Sequence, residues 1–138
     1  MTMTLPAAPR ALTALLIDDD AHSLYAISHI LSDLGVRFKR NTSGARCVPQ
    51  AAAMQPDVIL LDLDLPATNA LLALRQIRHD PALRNTPIIA LTDAGCAELA
   101  NPAIGHGAFA VLHKPFTRQQ LAALLDQLPV RPNADTTS

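Results

Sequence analysis

Val58-Ile59-Leu60-Leu61 runs directly into Asp62-Leu63-Asp64-Leu65-Pro66. Four apolar residues in a row, the first two β-branched, lack the polar alternation of a half-exposed strand. They suit a strand covered on both faces, as at the centre of a parallel sheet. Pro66 has no N–H to give to a ladder, so pairing is expected to stop there. Ligands of open parallel sheets bind just beyond the carboxyl ends of the strands. Asp62 therefore stands where a reactive group belongs. A lone Asp after a strand is more often a solubilised turn, and the remainder of the chain has to decide.

Leu12–Ile17, Ile88–Thr92 and Phe109–His113 read as further buried strands, whereas Val36–Arg40 alternates apolar and basic, as a strand nearer a sheet edge does. Helical periods lie between them. Leu24, Ile27, Leu31 and Leu34 recur at helical spacing over 21–34, and Gly35 suits the residue that ends that helix. Residues 45–54 read as a second helix, weakened by Pro49. Residues 69–79 read as a third, with Leu71, Leu72, Leu74 and Ile77 on one side and Asn69 as its cap. Residues 97–106 make a poor fourth, broken by Asn101-Pro102. Thr117-Arg118-Gln119-Gln120 is a capping box that opens a last helix, whose apolar face is Leu121, Leu124, Leu125 and Leu128. Five strands and five helices in strict alternation predict an α/β fold, a parallel sheet with helices on both faces.

At 138 residues, with 49% hydrophobic and 17% charged, the chain suits one domain, over residues 11–128. Residues 1–10 and 129–138 carry Pro, Thr, Asn and Ala without periodicity and read as flexible tails. A net charge of -1, no Trp and one Tyr argue against nucleic acid as partner. The apolar run Ala11–Ile17 is too short for a signal or a membrane helix. Cys47 and Cys96 have neither metal spacing nor a disulfide-rich context and read as reduced thiols, so a cytoplasmic protein is expected. The five histidines are scattered without a metal pair, and Arg37, Lys39 and Arg40 read as a solvated sheet edge.

Polar residues fall at the ends of strands one, three, four and five: Asp18-Asp19-Asp20, Asp62 with Asp64, Thr92-Asp93, and Lys114. Carboxylates converging in one pocket raise each other's pKa unless a cation lies between them. Hard oxygen donors without His or Cys suit Mg²⁺. A lysine and a hydroxyl opposite the metal make a clamp for a phosphoryl group. Such a pocket can carry phosphate on a carboxylate. Asp62 would be the nucleophile, with Lys114 and Thr92 holding phosphoryl oxygens.

Four segments together resemble the receiver (CheY-like) domain of bacterial two-component response regulators, over roughly residues 12–128. They are Leu15-Leu16-Ile17-Asp18-Asp19-Asp20, Pro56–Asp62 with Pro66, Thr86–Thr92, and Lys114-Pro115-Phe116. The resemblance implies a flavodoxin-like three-layer α/β/α sandwich, with a five-stranded parallel sheet of order 2-1-3-4-5. It implies Asp62 as phosphoacceptor, served by a sensor histidine kinase or phosphotransfer protein. It implies Asp19 as a direct Mg²⁺ ligand, Asp18 mainly through water, and Asp64 through its backbone carbonyl. Thr92 and Lys114 match the switch hydroxyl and the phosphate-pairing lysine. Such a single-domain regulator is not an enzyme. Its output would be a contact with a downstream effector protein, made as a monomer or weak homodimer.

The chain departs from the family pattern at four places. Val111 replaces an aromatic residue, Asp93 stands where a small residue is usual, the loop Ala67-Thr68-Asn69-Ala70 lacks the usual glycines, and Pro102 lies in the fourth helix. These departures keep a second reading open, an interaction module of receiver fold that works without phosphorylation. A third reading is an enzyme. Asp62-Leu63-Asp64 is similar to the first motif of haloacid-dehalogenase-type phosphatases, although the acidic pair here comes earlier in the chain and no cap domain is evident.

Overall fold

The computed structural model describes residues 11–65, 67–93 and 98–129, with the side chains of 67–69 left aside. The tail expected at 1–10, all of the tail expected at 129–138 but Pro129, the strand-ending Pro66, the side chains of residues 67–69 and the thiol of Cys96 lie outside the described residues. The strands are β1 (Thr13–Ile17), β2 (Arg37–Asn41), β3 (Val58–Asp62), β4 (Ile88–Thr92) and β5 (Ala110–His113). They alternate with α1 (Ala21–Asp33), α2 (Cys47–Met54), α3 (Ala67–His79), α4 (Ala100–Gly105) and α5 (Arg118–Asp126), and one 3₁₀ turn, Pro81–Leu83, precedes β4. All pairings are parallel, and the sheet order is β2-β1-β3-β4-β5. This is the flavodoxin-like arrangement expected from the sequence.

The two-residue period of a strand sorts the core into two layers. Leu15, Ile17, Ile59, Leu61, Ile88 and Ala90 face α2, α3 and α4, whereas Ala14, Leu16, Val58, Leu60, Ile89 and Leu91 face α1 and α5. Every residue of β3 and β4 is buried. Burying each large aliphatic side chain contributes roughly 2 kcal/mol, which is why neither strand tolerates polar alternation. The register is pinned at the lower end. The Thr13 amide and hydroxyl both donate to Asp57 Oδ2, at 2.8 and 3.1 Å. β2 lies at the sheet edge with Arg37, Lys39 and Arg40 exposed, a charged border that discourages further pairing.

The helices form for the expected reasons, with some corrections. Asp20 caps α1 by accepting from the Ser23 amide at 2.9 Å. Gly35, at φ +75°, ends the same helix where a Cβ would be strained. Thr117 and Gln120 form the capping box of α5. Pro49 and Pro102 do not break their helices. Each is the third residue of its helix, where the backbone N–H has no intrahelical partner to lose. α3 opens at Ala67, two residues before Asn69, so Asn69 is not its cap. Leu72 is also off the apolar face. It is 45% exposed, and the buried stripe is Ala70, Ala73, Leu74 and Ile77.

Candidate functional site

Parallel register brings the strand ends together. Ile17 pairs with Leu61, Asp62 with Leu91, and Thr92 with His113. Asp18, Asp62, Thr92 and Lys114 therefore emerge along one edge of the sheet. Backbone bonds extend the ladder past the strands. The Asp18 amide donates to the Asn41 carbonyl at 3.1 Å, Leu63 to Leu91 at 2.7 Å, and Lys114 to Thr92 at 2.7 Å. The cleft above this edge, about 630 Å³, is lined by the first turns of α1 and by Asp64, Asp93, Lys114, Pro115 and Phe116.

Asp18, Asp62 and Thr92 have no exposed surface. Asp18 Oδ1 accepts from the Asp20 amide and Asp62 Oδ1 from the Asp64 amide, both at 2.9 Å. The Lys114 ammonium lies 3.1 Å from Asp62 Oδ1, 3.4 Å from Asp64 Oδ2 and 3.5 Å from Asp18 Oδ2. It also donates to Ser23 Oγ at 3.1 Å. Burial works against the ammonium, but Asp62, Asp18 and Asp64 outweigh it and hold the Lys114 pKa above its usual value. Asp62 is pushed up to about 6, chiefly by burial. The Asp64 amide works against that rise and Asp18 adds to it. Like-charge repulsion, the cause expected from the sequence, is the smaller contributor.

One carboxylate oxygen from each of Asp18, Asp19 and Asp62 falls within 4.8 Å of the others. Asp62 Oδ2 and Asp64 Oδ1 are buried with no hydrogen-bond partner among the described residues, and Asp18 Oδ2 has only the Lys114 ammonium at 3.5 Å. Such an orphan costs about 1–3 kcal/mol, more when it is charged. A compact set of anionic oxygens with unmet lone pairs fits a hard dication, and Mg²⁺ is the common one. The carboxylate of Asp64 is outside the three-residue group and turns to Lys114 instead. The Thr92 hydroxyl donates to the Asp93 carbonyl at 3.1 Å, so it is not engaged with Asp62 or Lys114. Asp93 lines the cleft. Val111 is half-buried against the α2–α4 layer.

A five-stranded parallel sheet with an acidic cleft at the carboxyl ends of its strands defines an α/β domain of flavodoxin-like class. A family model for the response regulator receiver domain matches residues 14–126, and the chain belongs to that family. Its members are phosphorylated on an aspartate in two-component systems and are in general signalling modules, not enzymes. The chain is 31% identical over 115 residues to the signal transduction histidine-protein kinase BarA of Shigella flexneri, across 83% of this chain and 12% of BarA. It is 30% identical over 112 residues to the DNA-binding transcriptional regulator NtrC of Escherichia coli, across 80% of this chain and 23% of NtrC. Both matches thus span under a quarter of the relative's length. Among solved structures, the receiver domain of the sensor histidine kinase PA1611 from Pseudomonas aeruginosa superposes with a TM-score of 0.78. That similarity comes at 30% identity and covers 86% of this chain and 97% of that one. The PA1611 domain carries a magnesium ion coordinated in its active-site cleft. No described helix of the present chain is long and apolar enough to cross a membrane.

Two residues of consequence were not singled out from the sequence. Ser23 reaches Lys114 across 91 positions of chain. Its signal was present, since it is the third helical residue after the Asp20 cap and so faces the acidic end of β1. Arg78 spreads its guanidinium over the carbonyls of Leu83, Arg84, Thr86 and Gly107, at 3.2, 2.6, 3.0 and 3.2 Å. No residue pattern reveals that cage, because its acceptors are backbone carbonyls, which every sequence has.

Proposed function

We propose that Asp62 is the phosphoacceptor of this receiver and that Mg²⁺ is its cofactor. The observation that supports it most is the wholly buried Asp62 carboxylate, one oxygen held by the Asp64 amide and Lys114 and the other unpartnered. In the step envisaged, an Asp62 oxygen attacks the phosphorus of a phosphohistidine on a sensor kinase or phosphotransfer protein. The P–N bond breaks and its electron pair stays on the imidazole nitrogen. Lys114 pairs with one oxygen of the transferred group, and Thr92 leaves the Asp93 carbonyl to donate to another. Asp18, Asp19, Asp62 and the Asp64 carbonyl would hold the Mg²⁺, which supplies neutralisation of the incoming oxygens. The arrival of about two negative charges biases the Thr92 strand end between two arrangements, which a downstream effector reads by contact. A cytoplasmic setting follows from that choice of partners.

The test is intact mass after incubation with Mg²⁺ and a small acyl-phosphate donor. One added phosphoryl group, dependent on Mg²⁺ and missing in Asp62→Asn, is the expected result. No adduct on the wild type, with a beryllofluoride analogue leaving the NMR signals of Thr92 and Lys114 unmoved, would sink the reading.

Val111 and Asp93 favour a second reading, a receiver-fold module whose contacts ignore phosphorylation. A half-buried Val cannot swing as an aromatic ring does, and a carboxylate in the cleft repels an entering phosphate. Effector binding retained in full by Asp62→Ala would establish it.

A further inference from the structure

We infer that Ser23 is a positioning residue for Lys114, and that it strengthens binding of the divalent cation. This rests on the metal reading above. Lys114 Nζ has four neighbours in the cleft: the carboxylates of Asp62, Asp64 and Asp18, and the Ser23 hydroxyl at 3.1 Å. In the cation-free protein the ammonium stands in for the metal, neutralising the same two buried carboxylates that the metal would take. A dication entering on Asp18, Asp19 and Asp62 competes with Lys114 for Asp18 and Asp62. It repels the ammonium as well.

Ser23 is the neutral partner that no metal claims. Its place is fixed from two sides. The Asp20 carboxylate holds the Ser23 amide at 2.9 Å, and Asp18 holds the Asp20 amide at 2.9 Å, so the first turn of α1 is tied to the acidic end of β1. Lys114 can therefore release Asp18 and Asp62 without leaving the cleft, swinging about one hydrogen bond. It stays within reach of an oxygen on Asp62. Without the hydroxyl, the carboxylates are its main partners and it relinquishes them less readily.

The test is a double-mutant cycle read by Mg²⁺ affinity, followed through the backbone NMR signals of residues 62–64 in the full chain. Ser23→Ala is expected to weaken Mg²⁺ binding about threefold, and Ser23→Thr, which keeps the hydroxyl, to restore it. In Lys114→Ala, where no ammonium competes, Ser23→Ala is expected to change nothing. With the acyl-phosphate donor, Ser23→Ala should also load Asp62 about fivefold more slowly at saturating Mg²⁺. Mg²⁺ affinity of Ser23→Ala within experimental error of wild type overturns the inference, as does an equal loss in the Lys114→Ala background. If the wild type binds no Mg²⁺, the metal reading and this inference fall together. Phosphoryl loading of Asp62 is judged separately by mass.

Discussion

Lys114 Nζ stands 3.1 Å from Asp62 Oδ1, and the two groups come from strands separated in the sheet by β4. The pair is nearly sealed from solvent, with Lys114 only 12% exposed and Asp62 not at all. One ammonium thus serves a carboxylate that burial would otherwise drive to its protonated form. Removing it should show what the cleft costs. In the absence of divalent cations, Lys114→Ala is expected to lose about 3 kcal/mol of stability, the usual penalty for stranding a buried charge. Saturating Mg²⁺ should return most of it. Urea unfolding with and without Mg²⁺ measures both.

Protonation gives a second handle. The Asp62 pKa is raised from an ordinary 3.8 to about 6. A raised carboxylate favours folding when protonated. Its contribution is therefore full below pH 3.8 and is lost as pH rises through about 6. In metal-free buffer, wild type should lose on the order of 2 kcal/mol across that window relative to Asp62→Asn, allowing for solvent screening at the open cleft. Mg²⁺ needs the ionised form, so its apparent affinity should fall roughly fivefold between pH 6 and pH 5. Calorimetric titration at several pH values checks the second statement, and urea midpoints the first.

Asp93 lines the cleft that, on the proposed reading, a phosphoryl donor enters. If its carboxylate is turned towards that path, it would oppose an anionic donor by on the order of 1 kcal/mol in a partly aqueous setting. Asp93→Ala is expected to speed loading of Asp62 by a small acyl phosphate roughly fivefold. The gain should shrink at high salt. Equal rates for the two proteins at low salt would show that the carboxylate has no bearing on access.

Arg78 predicts a stability effect separable from the site. Its guanidinium satisfies carbonyls in the turns before β4 and β5, and burial pushes its pKa down. Arg78→Ala is expected to cost about 2 kcal/mol, chiefly by removing the donors to the part-buried Leu83 and Thr86 carbonyls. Arg78→Lys should recover little, since an ammonium cannot reproduce the fork. Gly107→Ala should also destabilise, by about 2 kcal/mol. Gly107 sits at φ +106°, and an added Cβ would lie 3.0 Å from Arg78 Nε. Mg²⁺ affinity should be unchanged in all three. Denaturant midpoints and the Mg²⁺ titration together decide this.

The sequence made the sheet legible because fully buried strands admit little but apolar residues. Val58–Leu61 and Ile88–Leu91 leave little alternative, and Val36–Arg40 read as a strand nearer an edge, but the order β2-β1-β3-β4-β5 came from the resemblance to receiver domains. The acidic residues and Lys114 were legible because each follows a strand directly. Harder to read was whatever depends on where a helix begins. Asn69 looked like a cap, but α3 starts at Ala67, and Leu72 falls off the stripe set by Ala70, Ala73, Leu74 and Ile77. Pro49 and Pro102 looked disruptive until the helix starts showed both in a first turn. Ser23 escaped notice because its partner Lys114 is 91 positions away, and Arg78 because its acceptors are backbone carbonyls, which no side-chain pattern marks.

The Thr92 hydroxyl is already committed, donating to the Asp93 carbonyl at 3.1 Å while fully buried. If Thr92 is the switch proposed above, a resting bond of this kind would set a threshold. An anion that enters the cleft but is too short to lure the hydroxyl away would fill the site in silence. Occupancy and output would then be different quantities, with ligands told apart by reach as much as by charge.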